Sequence, residues 1–220
     1  QERLYSATAM CSGKLYFAPL MAHEIAIYDI DTETIKKVSL NIACRGNTAH
    51  GKKGKFFKIF SLNKRVYFIP AYYRGILCYD TERGVFFCFD DWVDKIEELR
   101  SSEWDYFFDF TLIDNMLILP CACADAIVVF DILEKKSKVI QTPPTDFACK
   151  FCGISHAGDH LYLVSGDGTV SKRRADDLEI EIKRWHLSAS ELSDVLFYPV
   201  RYAQRSVYFF PFGNGNLFRI

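Results

Sequence analysis

The chain has 220 residues, half of them hydrophobic, which allows a sizeable core in one large or two small domains. With 27 basic against 28 acidic residues the net charge is −1, so no strong field marks a nucleic-acid or membrane-surface partner. No apolar run approaches the roughly 18 residues that cross a bilayer, and a soluble, cytoplasmic protein is expected. In chain order, "QERLYSATAM" carries neither Met nor a signal-peptide pattern, so a removed leader or a longer parent chain is expected. An apolar run "KLYFAP" then stops at Pro19 and a second, "IAIYD", at Asp29. After a glycine-rich link with Arg45, Lys52 and Lys53, "KFFKIF", a turn at Asn63-Lys64, "RVYFIP", "AYYRG", "ILCYD", "TERG" and "VFFCFD" follow. The segment "DDWVDKIEELRSSEWD" predicts a short amphipathic helix opened by Asp90 or Asp91 between Trp92 and Trp104. Further on stand "NMLILP", "IVVFD", "HLYLVS", the capping-box spacing Ser188 to Glu191 (a second short helix), and "SVYFFP".

These runs repeat. Pro19, Pro70, Pro120, Ser165 and Pro211 close them at steps of 51, 50, 45 and 46 residues. An aromatic stands fourteen positions before each: Tyr5, Phe56, Tyr106, Phe151 and Phe197. Asp29, Asp80 and Asp131 recur ten or eleven residues past their anchors. Proline cannot donate to a ladder, so it suits the last residue of a strand. The aspartate can accept from backbone amides two residues on and so start a tight turn. Both are read as punctuation, not chemistry.

Each unit therefore parses as four short antiparallel strands, and units of about 45–50 residues stack into an all-β β-propeller. The blades are expected at about 1–40, 55–90, 105–141, 150–185 and 196–220. Through the recurrent "vYFxP…IxxYD" pattern the chain resembles the broad propeller superfamily along essentially its whole length. It lacks the Trp-Asp ending of WD40 blades and the paired glycines of kelch blades, although "AIYDIDTETIKKVSL" resembles strands of kelch-type and related bacterial propellers. Four complete blades and three strands of a fifth leave an open edge, so missing blades or a partner chain are expected to complete the ring. A five-bladed ring with a three-stranded closing blade is the alternative.

The loops after each second strand and those linking successive blades should emerge on one face. That face offers Tyr72, Tyr73 and Arg74 from "AYYRG", flanked by Trp92 and Trp104. Loop aromatics beside an arginine stack on a sugar ring or a partner side chain, so a non-enzymatic scaffold for a protein or glycan is expected. The tryptophans could instead plug grooves between blades. No cofactor is expected.

Among eight cysteines, Cys11, Cys44, Cys78 and Cys88 read as buried free thiols in a reducing compartment. Cys121 and Cys123, with the C-x-x-C of Cys149 and Cys152, could converge on zinc. Strand alternation would split the second pair, and the first lacks the two-residue spacer, so no metal is expected. His156 and His160 flank a Gly-Asp turn and read as its decoration. The rival class is a five-bladed glycoside hydrolase, whose central channel needs paired carboxylates. Across the five inner-strand starts the only carboxylate is Asp109; Asp105, Asp146 and Asp194 precede their strands.

Overall fold

The computed structural model describes residues 4–40, 54–186, 197–203, 206–211 and 218–219. Two compact units, Gln1–Val93 and Asp94–Ile220, divide the chain. The first holds two four-stranded antiparallel sheets, each with its strands in sequential order. These are β1 (Tyr5–Cys11), β2 (Lys14–Pro19), β3 (Glu24–Asp29) and β4 (Thr34–Ser39), then β5 (Phe56–Leu62), β6 (Arg65–Pro70), β7 (Ile76–Asp80) and β8 (Val85–Phe89). The first strands, β1 and β5, pack beside each other. Alternation places Tyr16, Ile25 and Ile27 of one sheet against Phe56, Phe68 and Leu77 of the next in a shared core. Hydroxyls bridge the two edges: Ser6 Oγ donates to the Phe56 carbonyl at 2.7 Å and Ser61 Oγ to that of Met10 at 2.7 Å.

The helix α1 (Val93–Leu99) starts at the boundary between units, directly after a turn closed by Val93 N–H donating to Asp90 O at 3.1 Å. In the second unit, β9 (Thr111–Ile113), β10 (Met116–Pro120), β11 (Ala126–Asp131) and β12 (Lys136–Gln141) form one sheet. A second sheet holds β13 (Gly153–Ala157), β14 (His160–Val164), β15 (Thr169–Arg174) and β16 (Glu181–His186). Among the described residues β17 (Phe197–Ala203), β18 (Ser206–Pro211) and β19 (Phe218–Arg219) make a three-stranded sheet. Again first strands neighbour one another, β13 lying beside both β9 and β17. The all-β, four-stranded antiparallel design expected from the repeat is the one that forms.

The punctuation works as its chemistry requires. Pro19, Pro70, Pro120 and Pro211 are the last residues of β2, β6, β10 and β18. Asp29 Oδ1 accepts from the amides of Asp31 and Thr32 at 3.2 and 3.1 Å. Asp80 does the same for Glu82 and Arg83 at 3.2 and 3.0 Å, and Asp131 for Leu133 and Glu134 at 2.8 and 3.0 Å. Four residues past each aspartate the backbone turns left-handed, at Glu33, Gly84 and Lys135. Ser165 differs from the prolines it aligns with: its N–H donates to Thr169 O at 2.9 Å, closing a turn that proline could not make.

The aromatic anchors begin only three of the first strands. Tyr5, Phe56 and Phe197 open β1, β5 and β17, and each strand shifts register by a bulge just after its anchor. Tyr106 and Phe151 stand outside β9 and β13 because their backbones are engaged elsewhere. Tyr106 O accepts from Ala122 N at 2.8 Å, and Phe151 N donates to Cys121 O at 3.2 Å. The predicted helix at Ser188–Glu191 and the link carrying Arg45, Lys52 and Lys53 lie outside the described residues.

Candidate functional site

The five residues singled out for recognition meet different fates. In the first unit Tyr73 is 7% exposed, its ring 4.7 Å from that of Phe56, and burial raises its phenol pKa. Trp92 is fully buried and donates Nε1–H to Phe89 O at 3.1 Å. Both belong to the core, so the expectation that they meet a partner fails on packing. Tyr72 and Arg74 are half-buried on the same loop. That loop is tied down by Ala71 N–H donating to Lys55 O at 2.8 Å and Tyr72 N–H to Gly54 O at 3.1 Å.

Trp104, in the second unit, is the exposed one at 37%. Its ring meets the edge of Phe108 at 5.6 Å. What holds its loop is Arg100, a residue that sequence reading passed over. The Arg100 guanidinium donates to Ser102 O at 3.2 Å and Trp104 O at 2.9 Å. Its other edge takes Glu97 Oε2 at 3.0 Å and Oε1 at 3.1 Å, and it lies 4.8 Å from the Tyr106 ring centroid. Tyr106 Oη donates to the same Glu97 carboxylate. Ser101 N–H adds a bond to Cys123 O at 2.9 Å. The signal was the three-residue spacing of Glu97 and Arg100 at the end of a predicted helix, which sets an acid and a base side by side. Glu97 holds the Nε and Nη2 edge of the rigid fork, which leaves Nη1 to clamp the carbonyls of the loop that carries Trp104.

The cysteine-bearing loops are neighbours, as Lys150 N–H to Ala122 O at 2.9 Å and Phe151 N–H to Cys121 O at 3.2 Å show. Their sulfurs serve the core. Cys149 Sγ donates to Phe151 O at 3.7 Å and Cys152 Sγ to Val164 O at 3.4 Å. Burial pushes the Cys123 thiol up to about 11, and those of Cys121 and Cys149 up as well. Among the described residues no three His, Cys, Asp or Glu side chains are grouped to hold a metal. Cys88 is disulfide-bonded, so the reading of the core cysteines as uniformly free thiols is corrected there; Cys78 and Cys11 are buried thiols, and Cys44 lies outside the described residues.

Asp109 is 3% exposed, and its Oδ2 lies 3.6 Å from Nη1 of Arg201 on β17. Asp105 is buried, Asp146 is exposed, and Asp194 lies outside the described residues. The carboxylate that the enzyme reading depends on thus faces a guanidinium.

No protein-family model and no curated protein matches the chain. Solved structures do. A catalytically inactive virginiamycin B lyase from Staphylococcus aureus, crystallised with quinupristin, superposes with a TM-score of 0.71 at 14% identity, over 100% of this chain and 67% of that one. BamB from Moraxella catarrhalis gives 0.60 at 12% identity, over 94% and 56% respectively. A chain of the nidogen/laminin complex gives 0.55 at 10% identity, over 90% and 68%. These neighbours are β-propellers built of four-stranded antiparallel sheets.

The chain has a β-propeller fold.

At such identities the likeness carries the fold and nothing of the chemistry. The chain spans little more than half of the BamB length and about two thirds of the other two.

Proposed function

We propose that this propeller is a non-enzymatic scaffold that binds a protein through its loop face. The observation that carries the reading is Trp104, an exposed indole on a loop whose carbonyls are fixed by Arg100. A rigid aromatic loses little conformational freedom when a partner covers it, which is the property of an interface anchor. In the first unit Tyr72 and Arg74 offer a second, half-buried patch on the loop between β6 and β7. A structural neighbour solved in a protein complex supports a protein partner over a glycan. Further blades, or a second chain supplying them, belong to the same reading, since the solved neighbours are longer.

The test compares Trp104→Ala with the parent protein, immobilised and exposed to lysate of the source cell. Retention of the captured protein should fall at least about tenfold, the equivalent of a truncated anchor, with the melting temperature unchanged. Equal retention at equal stability removes this surface from consideration. Glycosidase activity that disappears in Asp109→Asn would establish the enzyme reading instead.

A further inference from the structure

The second unit holds a groove that the proposed loop face does not use. It lies between the sheet of β9–β12 and that of β13–β16, at the hairpin-turn ends of their strands, with a volume of about 830 Å³. That is the size of a ligand site, for which roughly 300–1,000 Å³ is usual. Its floor continues the core of the two sheets through Ile118, Val129, Ile140 and Leu178, all below 8% exposed. Met116 and Ile182 stand at its sides, 37% and 46% exposed, so apolar surface runs from the floor to the mouth.

The rim is charged, and unevenly so. Its two cations are already engaged: Arg174 pairs with Asp176, and Lys138 with Glu179 at 3.2 Å. Arg174 also lies in the field of Asp159 and Asp177. Asp114, Asp159 and Asp177 are exposed at the same rim, and no cation of the described residues pairs with them. His156 and His160, which the sequence offered as turn decoration, form part of the wall.

We propose that this groove is a second recognition site and that its occupant is a peptide segment joining aliphatic side chains to lysine or arginine. The aliphatic side chains replace water over Ile118, Leu178 and Ile182. The basic groups meet Asp114, Asp159 and Asp177, which make no direct ion pair among the described residues. An acidic peptide would face the same three carboxylates, and a polar one would leave the floor wet. The proposal stands apart from the loop-face reading, because the groove is at the turn ends of the strands and the Trp104 loop is not.

The test uses a fluorescein-labelled, blocked hexapeptide of alternating leucine and lysine, with two controls: glutamate in place of lysine, and serine in place of leucine. Fluorescence anisotropy should show saturable binding of the leucine–lysine peptide alone, weakening as salt is added. The double variant Asp114→Asn, Asp159→Asn should weaken it about tenfold, as should Ile182→Ser; these side chains are exposed, so folding is preserved. Trp104→Ala should leave it unchanged. Absence of binding, equal binding of the glutamate peptide, or affinity indifferent to the groove variants would each overturn the proposal. Affinity lost only in Trp104→Ala would assign the peptide to the loop face and likewise overturn it.

Discussion

Tyr73 and Trp104 are both loop aromatics that the sequence offered for recognition, and the difference between them is set by what each ring can reach. Tyr73 finds Phe56 at 4.7 Å, a residue seventeen positions earlier, and sinks into the core. Its neighbour Gly75 makes this possible. At φ +147° the backbone occupies a region closed to most side chains, and a Cβ there would stand 2.5 Å from Cys88 Sγ. Trp104 meets Phe108 in a T-shaped contact, and Arg100 holds its carbonyl while the ring stays partly in solvent. Truncating Tyr73 or Trp92 to alanine should therefore cost about 3–5 kcal/mol, the usual loss for a large buried aromatic. Urea unfolding followed by circular dichroism measures it. A loss below about 1 kcal/mol for Tyr73→Ala would return that tyrosine to the surface.

The recurrent turns explain themselves at the level of the hairpin. Each aspartate gathers two amides of its turn, and the fourth residue onward adopts a left-handed backbone that closes it. The Lys14 ammonium at 2.7 Å, followed by the Thr32 amide, holds the Asp29 carboxyl down at about 2. Asp80 is lowered first by the Arg83 amide, with Arg65 a lesser cause. Both carboxyls are depressed on folding, so their contribution is complete above the ordinary carboxylate value of roughly 3.9. It is lost as pH falls through the folded value, about 2 for Asp29. Stability measured from pH ~5 down to ~2 should decline, and Asp29→Asn with Asp80→Asn should flatten that decline while keeping the Oδ1 acceptors. An unchanged slope would deny the pairs their role.

At the fourth repeat the same logic runs in reverse. Ser165 uses the N–H that its proline counterparts lack, so Ser165→Pro should destabilise by roughly 1–3 kcal/mol despite matching the repeat. A neutral or stabilising result in thermal melts would show that the turn does not depend on that bond.

Across the whole molecule, what the sequence made legible is what neighbouring residues decide among themselves. Strand ends at proline, aspartate turns and the helix between Trp92 and Trp104 all follow from contacts within a few positions. Tyr106 and Phe151 were misplaced as strand starts because their backbones bond to Ala122 and Cys121, partners that no local pattern announces. The burial of Trp92 was open as the alternative to recognition, whereas the disulfide state of Cys88 escaped. So did the groove, whose walls are turns of separate sheets, each unremarkable alone. Arg100 was missed differently: its spacing from Glu97 was visible, but the carbonyls it clamps were not.

The sequential strand order has a kinetic consequence. Among the described residues every ladder of a sheet joins strands adjacent in the chain, so each sheet can form by closing short loops, without waiting for distant segments. Between β1 and β5 the links are side-chain packing and hydroxyl-to-carbonyl bonds such as Ser6 to Phe56. Sheets of this kind should open one at a time. In native-state amide exchange under mild urea, the amides of β1–β4 and those of β5–β8 should form two groups with separate opening free energies. One shared value would mean that the pair unfolds as a single block. If they separate, the earliest structure on the folding pathway is a lone meander of four strands, waiting for its neighbour's aromatic face.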